Sequence, residues 1–400
     1  MKSNFKKDFD PSFDITVEEY SQRVKKVQEE LVKRNIDVAF AIGTPFVPGD
    51  VQYLSGYDTQ CPENSSIFVV SPTKSYLCVG PEGFEYAKEM RKFGELINLT
   101  ELKIEFEEYP YSKFRDLKDI LHDAAGTKIK RVGKLTFDSF TPIFVSSIFL
   151  KNVDDKFEFV DASDILYEMR WIKSDNEIEL LRTSFKICTE ATKRIIEEIK
   201  PGRTELELAA IADYVFQSIG CNSFCFDQIV LSGERTNTIV GRASEKVIEK
   251  GDPITFFING RYKGYSSHMS RILVAGGMSK EQSEYYEHGY KAFEISLENF
   301  RLGNKGKELD AKAREYYKTE GLDIYQNYSF CHGAGLHESN EGKASNKYAE
   351  WVIPKNILMM INVGLYNHPK FYGYALEDGA IINNKGETEL LTDLPIKVQS

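Results

Sequence analysis

The sequence predicts an α+β protein in two parts, an N-terminal α/β domain over residues 1–165 and a larger domain over residues 166–400. Helical and strand-like periodicities alternate in the first part. In the second part, long amphipathic helices with legible start signals are grouped against meandering strand-like runs. A chain of 400 residues with 42% hydrophobic content can bury a large core in each part.

The first domain is predicted from alternating patterns. Apolar residues at Tyr20, Val24, Val27 and Leu31 have helical spacing, and a β-like run follows them. Helices are predicted over residues 17–34, 84–93, 114–124 and 142–150, and strands over residues 37–43, 66–70, 75–79 and 131–136.

The second domain begins with two capped helices. Ser174 and Glu177 form a capping box, as do Thr204 and Glu207, and Pro201 separates the two helices. Helices are predicted over residues 174–199, 204–220, 279–301 and 308–319. Strands are predicted over residues 226–231, 254–258, 269–274, 357–363, 380–383 and 387–391.

Charge and composition exclude several classes of partner. The formal net charge of −10 disfavours nucleic acid and anionic membrane surfaces, since phosphate binding needs clustered cations. The longest apolar runs are far shorter than the roughly 20 residues of a membrane span. Residues 1–14 contain no apolar signal-peptide core, so a cytoplasmic location is expected. The six cysteines are scattered and are predicted to be free thiols.

An ordered set of motifs runs through nearly the whole chain. It comprises residues 51–57 (VQYLSGY), 169–178 (MRWIKSDNEI), 201–205 (PGRTE), 232–233 (SG), 247–252 (VIEKGD), 264–265 (GY), Arg271, 332–336 (HGAGL), 362–366 (NVGLY) and 377–378 (ED). Together these motifs resemble the pita-bread family of creatinase, aminopeptidase P, prolidase and methionine aminopeptidase. The resemblance implies a C-terminal pita-bread domain and an N-terminal creatinase-type domain.

The same resemblance locates five positions where the metal-dependent members have Asp, Asp, His, Glu and Glu. Here these positions hold Phe257, His268, His332, Asn362 and Glu377. Phe257 cannot ligate a metal and Asn362 carries no charge, so a two-metal site is not expected. The cofactor prediction is therefore no metal or one divalent ion.

Two interpretations of these positions remain. In one, His268, His332 and Glu377, with the Asn362 carbonyl, hold a single ion in a two-histidine, one-carboxylate arrangement. In the other, the pocket is metal-free, as in creatinase, where an imidazole acts as acid and base and carboxylates hold a cationic substrate. The residues specific to creatinase are not retained, because its catalytic histidine would fall near Val240.

The chemistry is expected in the His-rich segment and its partners. The resemblance implies catalytic roles for His332, Glu377 and His337, since His337 follows His332 by five residues where the family has a second histidine after seven. A histidine with a pKa near about 6.5 suits general acid or base work. Phe257, Asn362 and Tyr265 are predicted to contact the substrate.

The leading functional prediction is hydrolysis of a C–N bond in a small molecule or short peptide-like substrate. The alternatives are a lyase on the same scaffold and a catalytically inactive homologue that binds a ligand or peptide. The family resemblance also implies a homodimer, in which the loop at residues 57–65 would approach the active site of the neighbouring subunit.

Overall fold

The structure is a computed structural model that describes residues 9–45, 47–58, 65–104, 106–136, 157–221, 224–328, 330–339 and 341–398. The helix predicted over residues 142–150 lies outside these ranges, as does most of the 57–65 loop. Two compact units form: Ile15–Arg170, and Trp171–Ser400 together with the described residues of Met1–Asp14. Within the described residues, no helix is both long enough and apolar enough to cross a membrane.

The first unit is built around one mixed sheet. Its helices are Val17–Lys33 (α1), Gly49–Ser55 (α2), Phe84–Met90 (α3), Leu117–Ala125 (α4) and Ser163–Trp171 (α5), and its strands are Val38–Gly43 (β1), Ser66–Val70 (β2), Ser75–Val79 (β3), Glu95–Leu99 (β4), Phe114–Arg115 (β5), Arg131–Lys134 (β6) and Glu158–Asp161 (β7). The described strands lie in the order β5-β4-β3-β2-β1-β6-β7. Strand β1 is buried along its whole length because helices and neighbouring strands cover it.

Helix α1 follows its sequence signals. The Thr16 side chain accepts a hydrogen bond from the backbone of Glu19, and Val24, Val27 and Leu31 are buried on one face. The helix predicted over residues 114–124 begins later, at Leu117, because Phe114 pairs in parallel with Asn98 of β4. The sequence analysis did not predict β4, so the short partner strand β5 was taken as helix.

The second unit contains two antiparallel sheets and a set of helices. The helices are Asp175–Glu198 (α6), Glu205–Ile219 (α7), Lys280–Asn299 (α8) and Glu308–Thr319 (α9), and the strands are Ile229–Ser232 (β8), Pro253–Tyr262 (β9), Tyr265–Met269 (β10), Leu273–Val274 (β11), Cys331–Gly333 (β12), Ile357–His368 (β13), Tyr372–Ile382 (β14) and Thr388–Leu390 (β15). Strand β9 pairs with β8, β10 and β11, whereas the other sheet has the order β12-β13-β14-β15. This mixture of helices and meandering sheets confirms the predicted α+β class.

The helices pack closely on these sheets. Helix α6 lies against β9 and β10, and α8 lies against β13. Both predicted capping boxes at the starts of α6 and α7 are formed. Gly379 of β14 permits this packing, because a Cβ atom there would lie 2.3 Å from the ring of Phe185 on α6. A larger residue at this position would therefore require the Phe185 ring to move.

Arg271 ties the two sheets together. Its guanidinium donates to Asp378 Oδ2 at 2.7 Å and to the Glu377 carbonyl at 3.0 Å. It also donates to the carbonyl oxygens of Ser270, Leu394 and Pro395 at distances of 2.9, 2.9 and 3.0 Å. Reciprocal backbone hydrogen bonds between Ser270 and Glu377 also join the two sheets directly. The fully buried charge of Arg271 is therefore compensated on all sides.

We expect Arg271→Met to lower the free energy of unfolding by about 3–5 kcal/mol, because it leaves the buried carboxylate of Asp378 without its counter-charge. Arg194→Met on α6 is the control, since Arg194 forms partly exposed ion pairs with Glu197 and Glu198 and its loss should cost no more than about 0.5 kcal/mol. Urea unfolding followed by circular dichroism measures both. Equal midpoints for the two variants would show that Arg271 does not hold the sheets together.

Candidate active site

A pocket of about 290 Å³ opens where the two sheets of the second unit meet. One wall is apolar, and the other carries most of the ionisable and hydrogen-bonding side chains. The apolar lining consists of Phe226, Ile229, Ile239, Val240 and Phe257, and the polar lining consists of His268, Tyr328, His332, Glu338, Ser339, Asn362 and Glu377. The pocket therefore holds five of the predicted site residues.

Three of these residues converge on one point. His268 Nε2 and His332 Nε2 each lie 3.4 Å from Glu377 Oε1. The ligand atoms of the three side chains all lie within 4.8 Å of one another, and the two imidazole rings are nearly parallel. In the described part of the chain this is the one such cluster of three His, Cys, Asp or Glu residues.

Strand register brings the cluster together. His268 lies on β10 opposite Asn259 of β9, and His332 lies on β12 opposite Met360 of β13. Glu377 lies on β14 directly opposite Asn362 of β13. The backbone bridge at Ser270 and Glu377 then joins β10 to β14, so the three side chains meet at the junction of the sheets.

The cluster is electrostatically coupled. Burial by itself raises the pKa of Glu377, but the attraction and hydrogen bonding of His268 and His332 outweigh burial and lower this pKa to about 2. Burial by itself lowers the pKa of His268, but the charge and hydrogen bond of Glu377 outweigh it, and the pKa is raised. Near neutral pH the carboxylate is therefore ionised, and it favours positive charge beside it.

The geometry fits one divalent cation. Glu377 Oε1 is buried, and its contacts with the two imidazole nitrogens, at 3.4 Å each, are long for charge-assisted hydrogen bonds. Four-coordinate zinc with bonds of about 2.1 Å has ligand atoms about 3.4 Å apart, which matches both spacings from Oε1 to the imidazoles. Two histidines and a carboxylate are also a donor set that suits a catalytic divalent ion.

A second cation does not fit these residues. Phe257 stands at the first carboxylate position of the family pattern, and its ring packs in a buried apolar cluster with Ile229, Leu231 and Ala375. An apolar cluster offers no oxygen or nitrogen donor to a hard cation. The packing around Phe257 therefore argues against a dinuclear site, as do the missing carboxylate ligands.

Asn362 belongs to a hydrogen-bonded chain that the sequence did not reveal. Tyr328 donates to Asn362 Oδ1 at 2.9 Å, and the hydroxyls of Tyr328 and Tyr366 are also 2.9 Å apart. A Cβ atom at Gly364 would lie 2.9 Å from both hydroxyls, so glycine leaves the space that they occupy. Burial raises the pKa of Tyr328 well above its usual value, which keeps this phenol protonated. The use of Asn362 as a metal ligand remains a prediction.

Two predicted site residues lie elsewhere. The Tyr265 hydroxyl donates to Glu177 Oε1 at 3.0 Å in the interior, and Tyr265 is not among the described residues that line the pocket. His337 is buried beside the pocket, where its Nδ1 lies 3.2 Å from Glu338 Oε2. Its backbone donates to Glu341, a fully buried carboxylate that also pairs with Lys173. These contacts hold the turn that presents Glu338 and Ser339 to the pocket.

A strained turn forms part of the apolar wall. Ile239 has φ +58° and ψ −69°, and Val240 N donates to the Thr238 carbonyl at 2.6 Å, which defines a γ-turn of the rare, strained type. A β-branched residue seldom adopts positive φ, and such strain concentrates at functional sites. The sequence analysis noted the Val240 position only as one where the creatinase histidine is missing. The structure places an exposed valine there.

Comparison with known proteins places this architecture in a class. Residues 179–384 match metallopeptidase family M24, and residues 23–172 match the creatinase/prolidase N-terminal domain. The class is therefore that of two-domain proteins with a creatinase-type N-terminal domain and a pita-bread domain, as the sequence predicted. The chain belongs to metallopeptidase family M24.

The similar proteins include peptidases of nearly the same length. An Xaa-Pro dipeptidase of Pyrococcus horikoshii is 30% identical over 370 residues, which is 92% of this chain and 97% of the relative. An Xaa-Pro dipeptidase of Pyrococcus furiosus is 30% identical over 369 residues, with the same coverage of both chains. The crystal structure of the prolidase from Pyrococcus horikoshii superposes with a TM-score of 0.78 at 28% identity, covering 94% of this chain and 99% of the other.

Replacing the carboxylate of Glu377 should change the pKa of His268. In Glu377→Gln the negative charge is lost, so burial dominates and the pKa of His268 should fall from above its ordinary value to below it. Histidine NMR titration of chelator-treated protein measures this shift. His368, whose pKa is lowered by burial and by Lys370, is the internal control and should not move. An unchanged His268 pKa in the variant would contradict the coupling.

Proposed function

We propose that this protein hydrolyses a C–N bond in a short peptide or peptide-like substrate. The observation that carries the proposal is the convergence of His268, His332 and Glu377 within 4.8 Å in a pocket. The Xaa-Pro dipeptidases among its relatives support a peptide substrate. The pocket volume of about 290 Å³ suits a small ligand.

His268, His332 and Glu377 are the residues that would hold one divalent ion. A divalent ion bound there supplies Lewis-acid chemistry to a carbonyl group or a water molecule. The buried and ionised Glu377 fixes the charge of the site, and the two imidazoles complete the donor set. Catalytic roles for His332, Glu377 and His337 remain part of this proposal.

The hydrogen-bonded residues Tyr366, Tyr328 and Asn362 orient the substrate. Tyr328 keeps its proton at Oη because burial raises its pKa, so it acts as a neutral hydrogen-bond donor. Its hydroxyl lies beside Asn362, and both residues line the pocket. It donates to Asn362 Oδ1, which leaves the amide N–H groups of Asn362 as preorganised donors to the oxygen on which negative charge develops during hydrolysis. The apolar wall around Phe257 excludes water and contacts the apolar part of the substrate.

The first test joins metal binding to activity. Chelator-treated protein is titrated calorimetrically with Zn²⁺, Mn²⁺ or Co²⁺, and release of proline from Xaa-Pro dipeptides is measured with each ion. We expect one ion per chain, and at least about 100-fold weaker binding in His268→Ala, since even the partners of metal ligands matter by about 10–100-fold. His288→Ala is the control, because His288 lies on α8 and contacts Tyr316 instead.

The outcomes separate the remaining alternatives. Hydrolysis that proceeds without bound metal and is lost in His332→Ala would favour the metal-free interpretation and contradict the single-ion site. Binding of dipeptides without turnover under every condition would identify an inactive homologue that binds peptides. Two ions per chain would contradict the exclusion of a second site by Phe257.

We expect Tyr328→Phe to lower kcat about 10-fold with little change in KM, because it releases the Asn362 amide, whose donation to developing charge acts mainly in the transition state. Tyr317→Phe is the control, since Tyr317 is buried and shares its hydroxyl hydrogen bond with Tyr374 away from the pocket lining. Steady-state kinetics measure both variants. A kcat for Tyr328→Phe equal to that of the control would remove Tyr328 from the mechanism.

Assembly is a separate proposal. The family resemblance supports a homodimer. Analytical ultracentrifugation of the full chain tests it, and a monomer at all concentrations would contradict it.

A further inference from the structure

One loop of the second unit touches both strands that carry the histidines of the cluster. It covers residues 334–342 and follows β12 directly. The chain then returns alongside this strand, where His332 forms an antiparallel bridge with Ala344. The loop begins two residues after His332, and its members Glu338 and Ser339 line the pocket. Its path is therefore set close to the cluster.

The loop is attached to β10 by a serine. Ser266 N and Ser266 Oγ each donate to the Gly335 carbonyl at 2.7 Å, and Ser266 Oγ also lies 3.3 Å from the His337 carbonyl. Ser266 precedes His268 by two residues, so strand alternation puts both side chains on the same face of β10. The loop thus connects the strand of His332 to the strand of His268.

The interior of the loop holds a buried ion pair. Lys173 Nζ lies 2.6 Å from Glu341 Oε1, and the two side chains are 1% and 0% exposed. Glu341 Oε2 accepts a hydrogen bond from His337 N at 3.0 Å. The ring of Trp171 packs against the end of the loop, where a Cβ atom on Gly342 would overlap it. The loop is therefore held by Lys173 and Trp171 as well as by β10.

Stability alone does not account for this ion pair. Two charges that are taken out of water lose their hydration, so a buried pair often contributes no more to stability than apolar residues of the same volume. Apolar anchors are already present in the loop, since Ala334 and Leu336 are buried. A hydrogen-bonded pair differs from apolar contacts in being directional, so it selects one path of the backbone between Leu336 and Glu341.

The separation of the two imidazoles needs such a connection. Strands β10 and β12 belong to different sheets, and within the described residues neither is the ladder partner of the other. The rings of His268 and His332 nevertheless lie nearly parallel, with 7° between their planes and 5.9 Å between their centroids. Their Nε2 atoms both lie 3.4 Å from Glu377 Oε1. The loop supplies a direct connection between the strands that carry them.

We propose that the 334–342 loop sets the separation of His268 and His332. Ser266, Lys173 and Glu341 are then positioning residues for the two imidazoles. This inference rests on the proposed function, in which both imidazoles bind one divalent ion. The ligands of a functional site have to be held within about 0.5 Å of the productive geometry. Residues that hold metal ligands in place without touching the ion typically change its affinity by about 10–100-fold when they are replaced.

Two neighbouring serines give the first test. Ser266 and Ser267 are both fully buried on β10, but Ser267 Oγ donates to the Ser184 carbonyl of α6 at 2.9 Å, on the other face of the strand. Chelator-treated protein is titrated calorimetrically with Zn²⁺. We expect Ser266→Ala to bind Zn²⁺ about 10-fold more weakly than the wild type, and Ser267→Ala to bind it like the wild type. Equal affinities of the two variants for an ion that the wild type binds would overturn the inference.

The ion pair is tested by removing both charges at once. In Lys173→Met/Glu341→Gln neither charge is left buried without its partner, and Gln retains an acceptor for His337 N. We expect a melting temperature close to that of the wild type, with Zn²⁺ binding at least about 10-fold weaker. Glu19→Gln/Arg23→Met removes a largely buried pair of α1 in the first unit and should leave Zn²⁺ binding unchanged. A folded Lys173→Met/Glu341→Gln variant with wild-type affinity would overturn the inference, and if this variant does not fold, the serine comparison decides.

A measurement without metal separates this inference from the proposed function. In chelator-treated protein with labelled histidines, the nuclear Overhauser effect between the imidazole protons of His268 and His332 reports their separation. It should weaken in Ser266→Ala and persist in Ser267→Ala. If the wild type binds no divalent ion but this change occurs, the single-ion site is contradicted and the role of the loop is supported. If the wild type binds one ion and hydrolyses dipeptides while both measurements are unchanged in Ser266→Ala, the inference is overturned and the proposed function stands.

Discussion

A fully buried carboxylate has to be compensated, and the carboxylate of Glu377 imposes this requirement on the second unit. It lies on β14 with 1% exposure, where an uncompensated charge would cost several kcal/mol. His268 and His332 come from two different sheets to meet it. The meeting point exists only because Ser270 bridges to the backbone of Glu377 and Arg271 fixes the adjacent Asp378. The fold and the site therefore depend on the same junction.

The departures from the family pattern form a consistent set. An aromatic ring at Phe257 fills one side of the pocket, and Asn362 is held by Tyr328 instead of carrying a charge. On the other side, His268 supplies an imidazole where the family pattern has an aspartate. The negative charge of the site is thus reduced to Glu377 and the more exposed Glu338. A site with fewer carboxylates needs fewer cations to balance it, which agrees with a fit to one ion.

Local signals in the sequence predicted much of the fold. The capping boxes at Ser174 and Thr204 marked helix starts that form as expected, because a cap depends only on neighbouring residues. Strands β2 and β3 match their predicted ranges since a turn separates two apolar runs. Strand β4 and helix α2 were not predicted, because both are short and tertiary contacts stabilise them.

The site was predicted only where the family motif pointed to it. His268, His332, Asn362 and Glu377 were identified and do line one pocket, but Tyr328 and Glu338 were not, because pairing across distant segments leaves no local pattern. Tyr265 was expected at the pocket, but its hydroxyl points to Glu177, and which face of a strand reaches a pocket depends on tertiary packing.

The junction has a consequence for folding. Arg271 and Asp378 are 107 residues apart in the chain, so the contacts that create the site close a long loop. The cluster of His268, His332 and Glu377 cannot exist in a state where only one sheet has formed. A ligand that binds the cluster therefore stabilises the joined sheets selectively over partly folded forms. Binding of a ligand at this site would therefore require that both sheets of the second unit have assembled.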